Sequence, residues 1–310
     1  MQNTRSTIVI IFTLCAGLAI RATGDTHGWD DGGADSNWST SANWKGDLND
    51  VLPATGDTVN FTDDNTTEDI TVDQDVTLAN LHVKWDTGSA TSGDSWTVNC
   101  TDDGNGRTIL LTDALRMMRL TQPAGGVIRG YLNLTNVHLR VGTSLQRAQI
   151  EMGSNSSEDK GINEYLNVDG GSVTAYLSAL TLPLINGPDG MSTAQIRLEG
   201  CQNVTIDISG NAILGQGSTG STYGTRGKYH RGYLHSGGGS VTVGGNLQLS
   251  DSQPTQDNLL DGNVGALFLT DTRFRVDGTA TFYGQKGSQT NPERLWQYRK
   301  AGVFATLDGK

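Results

Sequence analysis

Apolar and polar residues alternate along this chain in short bursts. Val76-Thr77-Leu78, Leu81-His82-Val83, Trp96-Thr97-Val98 and Thr108-Ile109-Leu110 open the series. Leu132-Asn133-Leu134, Val137-His138-Leu139-Arg140-Val141 and Ile196-Arg197-Leu198 continue it. A period of two is that of a strand with one face buried, so these segments predict many short β-strands. No long window keeps a helical period. The nearest, Asp113 to Leu120, predicts at most a single helical turn or cap.

A degenerate repeat overlies the alternation. Ile206-Asp207-Ile208-Ser209-Gly210-Asn211-Ala212 resembles Val241-Thr242-Val243-Gly244-Gly245-Asn246-Leu247 and Phe274-Arg275-Val276-Asp277-Gly278-Thr279-Ala280. Leu166-Asn167-Val168-Asp169-Gly170-Gly171-Ser172-Val173 reads as a looser fourth copy. Each has two alternating apolar residues, a Gly turn, and further apolar positions. The copies start roughly every 33 to 40 residues, a spacing that points to stacked repeats. Gly then marks the corner where the chain turns from one sheet face to the next, and apolar residues stack on their counterparts one rung away. The expected fold is all-β: a right-handed parallel β-helix, or solenoid, with β-sandwich and double jelly-roll arrangements as alternatives.

The region 25–62 departs from this pattern. Trp29, Trp38 and Trp44 are separated by polar turn residues and cannot form a helical stripe. They are expected to plug one open end of the stack, where unpaired strand edges would invite aggregation. The solenoid itself is expected over 63–310.

Composition supports strands and turns. The 310 residues include 41 Gly but only 6 Pro, and Thr, Ser, Asn and Asp are abundant. Net charge is −11, from 33 acidic and 22 basic residues. Such a surface repels phosphate, which argues against nucleic acid as a partner.

Residues 1–24 read as an address. Arg5 precedes the apolar run Ile8 to Ile20, and the small residues Ala22-Thr23-Gly24 follow. The run is short for a bilayer span and matches the core of a secretory signal. Cleavage near Gly24 removes Arg5 and Arg21, and no transmembrane span is expected in the mature chain. A secreted or cell-surface protein follows from this reading. Cys100 and Cys201 remain after cleavage. They form a candidate disulfide in an oxidising compartment, or two separately buried thiols.

The opening Trp29-Asp30-Asp31-Gly32-Gly33, Asn43-Trp44, Pro53 and Gly56-Asp57-Thr58-Val59 resembles the start of secreted bacterial proteins with autotransporter-associated β-strand repeats. The stretch Gly239 to Leu247 is similar to one of their repeats. Many such proteins come from planctomycete-like bacteria and end in a sorting signal or a dockerin. No dockerin-like Asp-rich duplication occurs here. Gly302 to Lys310 stops inside what reads as another repeat, so a C-terminal continuation is expected.

Candidate chemistry is sparse. Asp30, Asp31, Asp35 and Asn37 form one acidic cluster, and Asp63, Asp64, Asn65, Glu68 and Asp69 another. They lack the spacing of known calcium loops, so structural calcium is a secondary possibility and no cofactor is expected. The basic island Arg226, Lys228, Tyr229, His230 and Arg231 stands out in an acidic chain. Such side chains can contact a glycan or another anion, or act on a uronate as a lyase does. No Gly-x-Ser-x-Gly elbow is present, and no pair of carboxylates is nominated for glycoside hydrolysis. The leading expectation is a structural or adhesive module contacting extracellular polysaccharide or cell-surface components. A polysaccharide lyase or glycoside hydrolase acting on an acidic glycan is the alternative.

Overall fold

The structure, a computed structural model, describes residues 24–45, 50–62, 67–85, 95–119, 128–154, 162–184, 192–215, 230–249, 264–282 and 302–305. The apolar run Ile8 to Ile20 and residues Arg226, Lys228 and Tyr229 lie outside them.

The chain opens with β1 (Thr26–Trp29), a single 3-10 turn (Ser41–Asn43), β2 (Trp44–Lys45) and β3 (Thr58–Thr62). It then winds in rungs. The first two rungs have two strands each: β4 (Thr67–Val72) with β5 (Val76–Trp85), then β6 (Ser95–Asp102) with β7 (Thr108–Arg119). Later rungs have three. These are β8 (Ile128–Thr135), β9 (His138–Val141) and β10 (Gln149–Ser154); then β11 (Ile162–Asp169), β12 (Ser172–Leu177) and β13 (Leu180–Leu182). Next come β14 (Ser192–Gly200), β15 (Asn203–Ile208) and β16 (Ala212–Leu214), then β17 (His230–Gly237), β18 (Ser240–Val243) and β19 (Leu247–Leu249). The series ends with β20 (Val264–Thr270), β21 (Arg273–Val276), β22 (Ala280–Phe282) and β23 (Gly302–Ala305).

The rungs stack strand on strand, in parallel, as a β-solenoid. The first face is an eight-stranded sheet running β4-β6-β8-β11-β14-β17-β20-β23. The second face runs from β9 through β12, β15 and β18 to β21. The third runs from β10 through β13, β16 and β19 to β22. Both are continuous with β7, whose first half pairs with β9 and whose second half pairs with β10. The segment expected to hold a helical turn, Asp113 to Leu120, lies largely within that long strand.

Register puts like residues above like. Val98, Leu132, Leu166, Ile196, Leu234 and Leu267 form one inward column of the first face. All six are buried. Leu78, Leu111, Val141, Ala175, Ile206 and Val241 do the same on the second face. Each buried Leu or Ile is worth about 1.5–3 kcal/mol relative to an exposed one, and the columns share one continuous core. Ile206, Val241 and Phe274, the starts of three repeat copies, fall in a single column. The looser copy is out of phase: Leu166 lies on the first face, and the second-face counterpart of Ile206 is Ala175.

The corner between the first and second faces takes a left-handed residue in several rungs. Asn136 (φ 59), Gly170 (φ 71), Gly238 (φ 84) and Asp271 (φ 49) occupy it in four rungs, residue types that tolerate positive φ, while the corner between β14 and β15 turns without one. Each third-face strand is followed in the chain by a first-face strand of the next rung: β10 by β11, β13 by β14, β16 by β17 and β19 by β20.

The tryptophans close the starting end. Trp38 and Trp44 are fully buried, with ring centroids 4.6 Å apart, and both pack on Phe61. Trp29 meets Trp44 edge-on at 4.9 Å. Residues beside Trp38 pair with β4, as Trp38 N–H donates to Thr71 O (2.8 Å) and Thr71 N–H to Ser36 O (2.8 Å). β1 pairs with β3. The cap therefore occupies the edges of two sheets. Its loop is pinned by Asp57, which accepts hydrogen bonds from Asp25 N (3.0 Å) and Ala54 N (2.7 Å) and pairs with buried His27 Nε2 (3.0 Å).

Candidate functional site

Alternation dictates what the first face shows to the outside. On β8, β11, β14 and β17, register aligns three outward columns. The first holds Arg129, Asn163, Thr193 and Arg231. The second holds Tyr131, Tyr165, Gln195 and Tyr233. The third holds Asn133, Asn167, Arg197 and His235.

The third column is a hydrogen-bonded ladder. Asn167 Nδ2 donates to Asn133 Oδ1 (2.7 Å), Asn133 Nδ2 to Asn99 Oδ1 (2.8 Å), and Asn99 Nδ2 to Asp69 Oδ1 (2.7 Å). One bond per rung is possible because the amide spans the strand spacing of about 4.8 Å. Beside it Tyr131 and Tyr165 stack in parallel, with centroids 4.8 Å apart and planes 10° from parallel. The Arg197 guanidinium sits 5.8 Å from the Tyr165 ring centroid.

Further along, the ladder gives way to a chain of unlike groups. His235 Nδ1–H donates to Glu199 Oε1 (2.7 Å). Gln195 Nε2 donates to His235 Nε2 (2.7 Å), and Arg197 Nη2 donates to Gln195 Oε1 (3.1 Å). Burial is the main influence holding the His235 pKa below its ordinary value, although Glu199 opposes it. The imidazole is thus neutral at pH 7 and spends both nitrogens within this chain. Phe268 stacks on its ring at 4.3 Å. A general base needs a free lone pair aimed at substrate; here that lone pair accepts from Gln195.

The basic island divides at the start of β17. His230 points inward and is buried at 3% exposure, in register with buried Ser192. Arg231 points outward in the first column, between Thr193 and Val264. Arg226, Lys228 and Tyr229 lie outside the described residues.

Cys100 and Cys201 are free, buried thiols. Cys100 sits on β6, and Cys201 follows β14, three strands along the first face. That separation is about 14 Å at the strand spacing, twice what a disulfide can bridge. Burial pushes both thiols up to about 12, so neither is a ready nucleophile.

The acidic residues of the cap work locally. Asp35 Oδ1 accepts from Thr40 Oγ1 (2.7 Å) and Asn37 N (3.1 Å), and Asp30 Oδ1 accepts from Gly32 N (3.3 Å). In the second cluster Asp69 ends the amide ladder, while 63–66 lie outside the described residues. Among the described residues, no three His, Cys, Asp or Glu side chains converge as a metal-binding group, and no helix is long and apolar enough to cross a membrane.

One carboxyl is buried inside the solenoid. Glu164 points inward from β11, and its Oε2 accepts the Gly153 N–H. It lines a cavity of about 10 Å³ with Val83, Trp96, Met117, Ile128, Gly130 and Ile162. Burial raises its pKa well above the usual carboxylate range.

The outward columns were missed by a reading that followed apolar repeats. Their signal was present: Tyr131-Leu132-Asn133-Leu134 returns as Tyr165-Leu166-Asn167-Val168, and again in part as Tyr233-Leu234-His235. Comparison with family models, curated proteins and solved structures returns no match for this chain. The site therefore stands on its geometry.

Proposed function

We propose that the chain is a secreted or cell-surface structural and adhesive module that holds extracellular polysaccharide without cleaving it. The carrying observation is the outer side of the first face, where aligned columns carry the Tyr131, Tyr165 and Tyr233 hydroxyls, the Asn133 and Asn167 amides and the Arg129 and Arg197 guanidinium groups across successive rungs. A pyranose ring is close in length to one rung, so an extended glycan lying along the axis meets equivalent positions repeatedly. The Glu199–His235–Gln195–Arg197 chain is internally satisfied, which favours holding over turnover. Export rests on the leader-like segment 1–24, and the resemblance to autotransporter-associated repeat proteins agrees with it.

The test is retention of the purified chain on a panel of acidic and neutral polysaccharides, with the product assayed for new reducing or unsaturated ends. Retention without new ends is expected. New ends, lost on His235→Ala or Glu199→Gln, would replace this reading with an enzymatic one. Retention of none of the panel would overturn it.

A further inference from the structure

The first strand of the fold begins where the leader-like segment ends. β1 opens at Thr26, in parallel register with Thr58 of β3. One residue earlier, Asp25 already belongs to the cap. Its carbonyl accepts from Thr58 N–H (2.9 Å), and its own N–H donates to Asp57 Oδ1 (3.0 Å). Gly24 and Asp25 are exposed, whereas Asp57 is buried at 8% exposure. The small residues Ala22 and Gly24 stand third and first before Asp25, the spacing that a signal peptidase reads.

Asp57 is short of a permanent counter-charge. Two of its donors, Asp25 N (3.0 Å) and Ala54 N (2.7 Å), are neutral amides. The third partner, His27 Nε2 (3.0 Å), is charged only when protonated. Among the described residues no Lys or Arg pairs with this carboxylate. A buried charge is costly unless it is paired as well as hydrogen-bonded.

We propose that the Gly24–Asp25 peptide bond is the export cleavage site, and that the α-ammonium released at Asp25 is the counter-ion of Asp57. Hydrolysis by a signal peptidase breaks that bond. The oxygen of water ends on the Gly24 carboxylate, and its two protons end on the Asp25 nitrogen. That nitrogen is already at hydrogen-bond distance from Asp57 Oδ1, so the ammonium takes the place of the amide with β1 unmoved. A charge-assisted bond is roughly twice as strong as the neutral bond it succeeds. Asp25 is exposed, so the remaining N–H bonds stay hydrated. Removal of the leader thus tightens the loop that Asp57 pins. The proposal rests on the export reading above and adds the processing site and its effect on the cap.

The experiment has two arms. In the first, the full chain is expressed in a secreting bacterial host and the mass of the exported product is measured; a start at Asp25 is expected. In the second, three chains are compared by thermal unfolding at pH 7: one starting at Asp25, the same chain acetylated at its α-amino group, and one starting at Gly24. The free Asp25 chain should melt about 2 °C or more above the other two. The gap should close as pH rises well past the ordinary α-amino value of about 8, because the ammonium stabilises the fold only while it is protonated. His27 and the Asp25 side chain are the other titratable groups beside this pair among the described residues, and all three chains share them. Asp57→Asn should remove the gap. A start at another residue would overturn the cleavage site and leave export intact. Equal melting of the free and acetylated chains, or a gap that persists in Asp57→Asn, would overturn the pairing. A chain that keeps 1–24 and is not exported would remove the export reading, and the proposal with it.

Discussion

The first and third faces are built on the same rungs yet treat their cations differently. On the third face, Asn60, His82, Arg116 and Glu151 form one outward column. Arg116 Nε donates to Glu151 Oε2 (2.7 Å), Arg116 Nη1 donates to His82 Nε2 (3.1 Å), and His82 Nδ1–H donates to Asn60 Oδ1 (3.2 Å). The guanidinium is neutralised by the fold's own side chains. On the first face Arg197 donates to Gln195 Oε1 and lies over the Tyr165 ring instead. The contrast shows that the fold can pair a cation across rungs when stability alone is served, so the pattern on the first face is a property of that face and not of solenoids as such.

The largest expected effect tests whether the two faces share one core. Leu166→Ala on the first face and Leu182→Ala on the third should each cost about 3 kcal/mol, because both side chains are fully buried and the stacked neighbours leave little room to relax. Chemical denaturation should report similar losses; a much smaller loss at Leu182 would mean that the third face opens independently. Next comes the amide ladder. Asn133→Ala removes one donated and one accepted bond and should cost about 2 kcal/mol, seen as a lower unfolding midpoint.

Arg116→Gln breaks the third-face pairing and should cost about 1 kcal/mol, since both partners keep some exposure. Arg129→Gln, by contrast, should leave stability nearly unchanged. Equal losses would erase the distinction between the faces.

The smallest effects are pH-dependent. His82 is depressed to about 4, chiefly by burial, with Lys84 and Arg116 adding to it. The unfolded chain takes up that proton near its ordinary value, so this contribution to stability is present above about 6.5 and is lost as pH falls toward 4. A His82→Gln variant should flatten that part of the melting-temperature profile. Glu164 has the opposite sign: its folded pKa is raised, so its contribution is intact in acid and is lost as pH rises through the folded value. Glu164→Gln should therefore gain on the wild type as pH rises above about 4.5, and a constant offset across that range would contradict a buried neutral carboxyl.

Much of the fold was legible because strand period, Gly corners and repeat spacing agree. Ile206, Val241 and Phe274 read as equivalent and are stacked. The exception at Asp113 to Leu120 has a physical cause. β7 turns from the second face to the third near Thr112 and Asp113, where register shifts against β5. That corner places buried Leu111, Ala114 and Leu115 three and four residues apart, which mimics one helical turn. The candidate site was less legible. Histidines scattered singly along the sequence are bonded across rungs, as His138 Nδ1 is to Ser172 Oγ (2.7 Å). Outward columns emerge only once register is known, because residues thirty or more positions apart become neighbours.

The lengths of chain between successive rungs have an evolutionary meaning. The stretches 185–191 and 283–301 differ greatly in length, while the first-face pairing continues past both. A change in the length of such a link need not disturb the stacked columns on either side of it. The spacing of the repeat in sequence is therefore freer to drift than its spacing in space.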